Sequence, residues 1–127
     1  MKTSELTGVA LDWAVAKIEG VPVILRPAVG DVPVSLYFAR ISDGQAAHSS
    51  QYRPSSNWDL GGPIIEREKI NLSYDGGVWS AAHIGIRPKS QQWLSGTTTS
   101  GATALVAAMR IYVRYKPGAE VELPEGI

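Results

Sequence analysis

The chain of 127 residues predicts a small α+β domain, with an antiparallel sheet between a helix near each end and with long ordered loops. Three observations carry that prediction. Apolar residues recur at helical spacing near both ends, at Leu11, Ala14, Val15 and Ile18 and again at Leu105, Ala108, Met109 and Tyr112. Between these stretches lie short β-branched runs punctuated by glycine and proline. Apolar residues make up 44% of the chain, enough for one core and too little for two, so residues 1–127 are read as a single domain.

The first helix is predicted over residues 7–19. Thr7 is placed to cap it, Leu6 and Leu11 occupy the staple positions, and Gly20 followed by Pro22 ends it. Trp13 lies beside the apolar stripe and reads as an aromatic at the core edge. Residues 21–25 and 34–40 read as two strands, with antiparallel pairing the simplest arrangement. Leu36 and Phe38 would face one side, and Ser35 and Tyr37 the other.

Residues 41–62 show no regular period and are expected to form a long ordered loop, held by Tyr52 and Trp58. A short helix is expected to start at Gly62, with Pro63 at its first position, where a missing N–H costs nothing. Asp75-Gly76-Gly77 between residues 70–74 and 78–82 is a hairpin signal. Residues 89–101, with the run Thr97-Thr98-Thr99-Ser100, read as a second, exposed loop. The last helix is predicted over residues 102–115, with Thr103, Ala107, Arg110 and Arg114 on another face than the core stripe and Pro117-Gly118 as its stop. The acidic tail after it is expected to pack only in part.

Charge and composition exclude several functions. Twelve basic residues balance twelve acidic ones, so bulk nucleic-acid binding is not expected. The absence of cysteine removes disulfides, thiolate nucleophiles and zinc–cysteine sites. His48 and His83 have no acidic partners at ligand spacing, and no metal or other cofactor is expected. Neither a secretory signal nor a membrane span is expected, which suggests a cytoplasmic protein. There is no nucleophile elbow and no phosphate loop. Asp59, Glu66 and Glu68 could include an acid–base pair, but Glu66 and Glu68 are two apart and do not share a helical face. The balance is against an enzyme.

Several blocks are similar to the phage NinX-type proteins. They are Ser4-Glu5-Leu6-Thr7-Gly8, Leu11-Asp12-Trp13-Ala14-Val15-Ala16-Lys17 and Glu19-Gly20, then Tyr52, Pro54-Ser55 and Asn57-Trp58. Gly61-Gly62-Pro63-Ile64-Ile65-Glu66-Arg67-Glu68 and Ala107-Ala108-Met109-Arg110-Ile111-Tyr112-Val113 complete the set. The resemblance implies a phage or prophage accessory protein in the bacterial host and assigns it no activity. By genetic context alone, it sets the chain beside small phage proteins that sequester nucleotide signals of bacterial immunity.

The residues themselves point to one candidate site. Residues 52–67 offer aromatic faces at Tyr52 and Trp58, a guanidinium at Arg53, an amide at Asn57 and a helix start after Gly61 and Gly62. Aromatic rings stack on bases and a helix N-terminus accepts phosphate, which is the chemistry a nucleotide needs. Equally, Trp58 could simply pin the loop to the core. Arg110 and Arg114 either stabilise the C-terminal half of their helix or complete an anion pocket. The favoured expectation is a homo-oligomeric phage protein that binds and sequesters a small nucleotide-like ligand. A protein–protein interaction module and a nucleotide hydrolase are the alternatives.

Overall fold

A computed structural model describes residues 5–39, 41–42, 45–46, 50–83, 98–116, 122–124 and 127. Helix α1 spans Gly8–Glu19, with Thr7 at the N-cap in an extended conformation. The Thr7 hydroxyl makes no capping bond. Leu6 and Leu11 are fully buried, as a hydrophobic staple requires. At the far end Gly20 is left-handed, with Gly20 N–H bonded to Lys17 O and Val21 N–H to Ala16 O. This is the Schellman closure that glycine permits without a Cβ penalty.

Strands β1 (Val23–Arg26) and β2 (Ser35–Phe38) pair antiparallel, with Val23 opposite Phe38 and Arg26 opposite Ser35. Leu36 is buried, and β2 packs on α1. The stretch expected to be one irregular loop is more ordered than that. Strands β3 (Ile41–Ser42) and β4 (Gln45–Ala46) form a short ribbon. Beyond it the chain returns along β2, where Phe38 N–H donates to Ser50 O and Tyr52 N–H to Leu36 O.

Helix α2 spans Trp58–Glu68, so it starts four residues before the expected Gly62. Asn57 caps it by accepting from Asp59 N–H at 2.9 Å. Pro63 is therefore inside the helix rather than at its first position. Gly61, which suggested a turn, serves packing instead. A Cβ on Gly61 would lie 2.4 Å from the Pro54 carbonyl oxygen and 2.6 Å from Leu105 Cδ2.

The predicted hairpin is present as β5 (Ile70–Asp75) and β6 (Val78–His83). Its two-residue turn is Gly76-Gly77, both at positive φ, which the primed hairpin turns demand. Thr98–Gly101, expected to belong to an exposed loop, is a third strand, β7, paired antiparallel with β6. Its Thr99 is buried and donates its hydroxyl to Ala107 O at 2.8 Å, so this polar side chain is satisfied within the fold. The stretch 84–97 and the expected helix stop at Pro117 lie outside the described residues.

Helix α3 (Ala104–Tyr115) is capped by the Thr103 hydroxyl, which accepts from Val106 N–H. It packs on all three strands of the β5–β6–β7 sheet and on α1 and α2. That central position buries more of its circumference than one stripe. Ala107, placed by sequence on another face than the core stripe, is fully buried between these layers. Leu123 of the tail packs against the same core.

Candidate functional site

A cleft of about 500 Å³ opens where the three helices begin. Gly8, Val9 and Asp12 contribute from α1, Trp58 from the first residue of α2, and Thr103, Ala104, Leu105 and Val106 from the start of α3. Ser35 and Leu36 of β2, with Tyr52, Arg53, Ser55 and Ser56, complete the walls. That volume lies in the range of small-molecule sites.

The opposite ends of the helices meet in an ionic network. Arg67 of α2 grips the Glu19 carboxylate of α1 with two bonds, of 3.0 and 2.6 Å, and donates Nε to Glu68 at 2.8 Å. The Tyr112 hydroxyl of α3 donates to Glu19, and the Tyr115 hydroxyl to Glu68. Burial alone would raise Glu19, but the Arg67 and Tyr112 bonds outweigh it and hold the carboxyl below its usual range. The Tyr115 and Arg67 bonds lower Glu68 likewise. His83 stacks on Tyr115 with ring centres 3.7 Å apart.

All three helices thus run from cleft to network, and their positive dipole ends converge on the cleft. Neither α1 nor α3 carries an acidic residue in its first turn to offset this. Arg53, exposed at the rim, adds a full positive charge.

The cleft wall also contains a carboxyl that sequence reasoning did not single out. Asp12 is only 3% exposed, and its Oδ1 accepts from Ser55 N–H at 2.8 Å. Burial pushes it up to about 6, against the opposing pull of the two Ser55 bonds and of Arg53. A signal existed. Asp12 stands among Leu11, Ala14, Val15 and Ala16, all buried, so an acidic residue interrupts the inward arc of α1.

Of the eight residues singled out from sequence, Tyr52, Arg53 and Trp58 line the cleft. Tyr52 is a buried core residue whose ring forms a T-shaped pair with Phe38, centres 5.0 Å apart. Trp58 is 57% exposed, so it does not pin the loop to the core. Asn57 caps α2 beside the cleft, while Gly61 and Gly62 lie within that helix. Arg110 lies outside the lining, where its guanidinium donates to Leu6 O at 2.8 Å and to Ser100 O at 2.7 Å. Arg114 sits in the last turn of α3, at the far end from the cleft. Of the three acidic residues weighed for catalysis, Asp59 and Glu66 are exposed and Glu68 belongs to the network. Among the described residues no three His, Asp or Glu side chains come close enough to hold a metal ion, and no helix is long and apolar enough to cross a membrane. His48 lies outside the described residues.

No curated protein matches the chain. A family model described as NinX of bacteriophage P22 matches residues 2–116, which takes in all three helices and every cleft residue. The chain belongs to the NinX family of phage accessory proteins.

Proposed function

We propose that this phage protein binds, and by binding sequesters, a small anionic ligand with a flat aromatic part, of which a nucleotide is the type, within the host cytoplasm. The observation that carries the reading is the convergence of three helix starts and Arg53 on a cleft bordered by an exposed indole. Helix N-termini and a guanidinium favour a phosphate. Trp58 offers a stacking face, a contact of about 1–3 kcal/mol per base. Local donors of this kind suit a chain with no net charge, because its overall field attracts nothing.

Calorimetric titration of linear and cyclic nucleotides tests the reading. Binding by the parent protein is expected, weakened about 5- to 150-fold in Trp58→Ala, the range that one stacked base corresponds to. Arg53→Ala should weaken phosphorylated ligands more than the free nucleosides. A parent protein that binds no nucleotide in the panel overturns the proposal.

A second reading, docking on a protein partner or on another copy of the chain, is favoured by a separate surface. Ile24, Val29 and Val32 on the β1–β2 arm are 47%, 69% and 62% exposed. Light scattering at micromolar concentration should then report a mass above that of one chain, and a monomer mass removes self-association.

A further inference from the structure

Asp12 is the one carboxyl among the described residues that line the cleft, and it is buried in the wall with Ser55 N–H on its Oδ1 at 2.8 Å. Two other titratable groups share the lining. Tyr52 has a phenol that burial pushes far up, so it stays neutral, and Arg53 stands on the exposed rim. Ser35 and Leu36 of β2, Trp58 of α2 and residues 103–106 of α3 bring no charged side chain to the lining. Elsewhere on the elements packed around Asp12, Lys17 of α1 lies over the Trp13 ring, and Arg110 of α3 is engaged with Leu6 O and Ser100 O. Arg53 is therefore the cation that favours an ionised Asp12, while burial opposes it. The same guanidinium is the side chain that an anionic ligand would draw on, so one cation serves two anions.

We propose that an anion entering the cleft brings a proton with it, taken up by Asp12, so that the cleft holds its ligand more tightly in mild acid than above neutrality. This rests on the anion-binding reading of the cleft. The coupling needs no contact between ligand and carboxyl. A bound phosphate draws the Arg53 charge toward itself and adds a negative charge to the same enclosed space, and both changes favour the neutral carboxyl. A protonated carboxyl keeps an oxygen that accepts from Ser55 N–H, so the wall stays fastened. Any occupant of a cleft of about 500 Å³ lies within about 10 Å of its walls, where a like charge changes a proton affinity about 10-fold at an effective dielectric of about 20. By reciprocity the proton changes the affinity for the anion by the same factor. Asp12 in the free protein titrates at about 6, which puts the effect close to neutrality.

The test is titration calorimetry of the full chain with 3′,5′-cyclic AMP and 3′,5′-cyclic GMP, whose single phosphodiester charge is constant between about pH 5 and about pH 8. Paired buffers of different ionisation enthalpy count the protons taken up. Binding is expected to be about 10-fold tighter at about pH 5 than at about pH 8, with about half a proton taken up per ligand near pH 6.5 and almost none at either end. Asp12→Asn, which is neutral throughout, should bind at every pH as the parent does in acid, with no uptake. Carbon NMR of the Asp12 carboxyl in the parent reads the coupling without a variant, so a poorly folded Asp12→Asn cannot hide the answer. Its midpoint should move from about 6 to about 7 or above on saturation with ligand. Binding that leaves this midpoint unmoved overturns the coupling and leaves the cleft reading standing. Uptake that persists in a folded Asp12→Asn assigns the proton to another group and overturns it too. Absence of binding at every pH overturns both.

Discussion

Replacing Asp12 by asparagine should stabilise the protein, and the gain should depend on pH. The carboxyl titrates near its ordinary value of 3.8 when the chain is unfolded and at about 6 when it is folded. The folded state therefore holds the proton more tightly. Stability from this group is fully present below about pH 4 and is lost as pH rises through about 6, the reverse of a salt-bridged carboxylate. The rise corresponds to about 3 kcal/mol, and burial is its largest cause. Asparagine mimics the neutral form at every pH. The stability difference between Asp12→Asn and the parent should thus grow by about 3 kcal/mol between pH 3 and pH 7.5 and then level off. For 127 residues, an unfolding entropy of about 2.1 cal/mol/K per residue converts this to a relative gain of about 11 °C in Tm. Paired urea or thermal unfolding curves across that range supply the measurement, with all other titrating groups cancelling in the difference. A difference that stays flat from pH 4 to pH 7.5 would refute the view that Asp12 is held ionised in a desolvating wall. A group that weakens its own fold at neutral pH suits a site better than a core.

Three further outcomes can be checked on the purified protein. Trp58→Ala should change stability by no more than about 0.5 kcal/mol in urea unfolding, because the ring is more than half exposed. Gly61→Ala should cost about 1–3 kcal/mol by the same assay, since its Cβ meets a backbone carbonyl that cannot swing away. Arg67→Met should cost about 1–2 kcal/mol, less at 1 M salt than at 0.05 M, because it leaves Glu19 and Glu68 without the guanidinium they share.

The parts of the fold that were legible in the sequence are those where local chemistry and tertiary packing agree. Gly20 ends α1 because a left-handed residue is needed there, and Gly76-Gly77 makes the hairpin turn for the same reason. Gly61 misled because its purpose is close approach to Pro54 and Leu105, a contact invisible until the chain is folded. Thr99 misled because its hydroxyl is satisfied by Ala107 across the sheet–helix interface rather than by solvent. At the cleft, Trp58 and Arg53 were legible as side chains that advertise stacking and charge. Asp12 was passed over although it interrupts the apolar arc of α1, since a single acidic residue in a helix ordinarily faces water. Only the return of Ser55 onto α1 encloses it.

The helix starts that frame the cleft come from chain positions 8, 58 and 104. A stretch of chain that lacks any one of these three segments contains only part of the opening. The cleft is consequently a late product of folding, dependent on contacts between segments far apart in the chain. A ligand held there would stabilise the folded form and would ignore half-folded ones. Occupancy of the cleft would therefore report, molecule by molecule, that these three distant segments have come together.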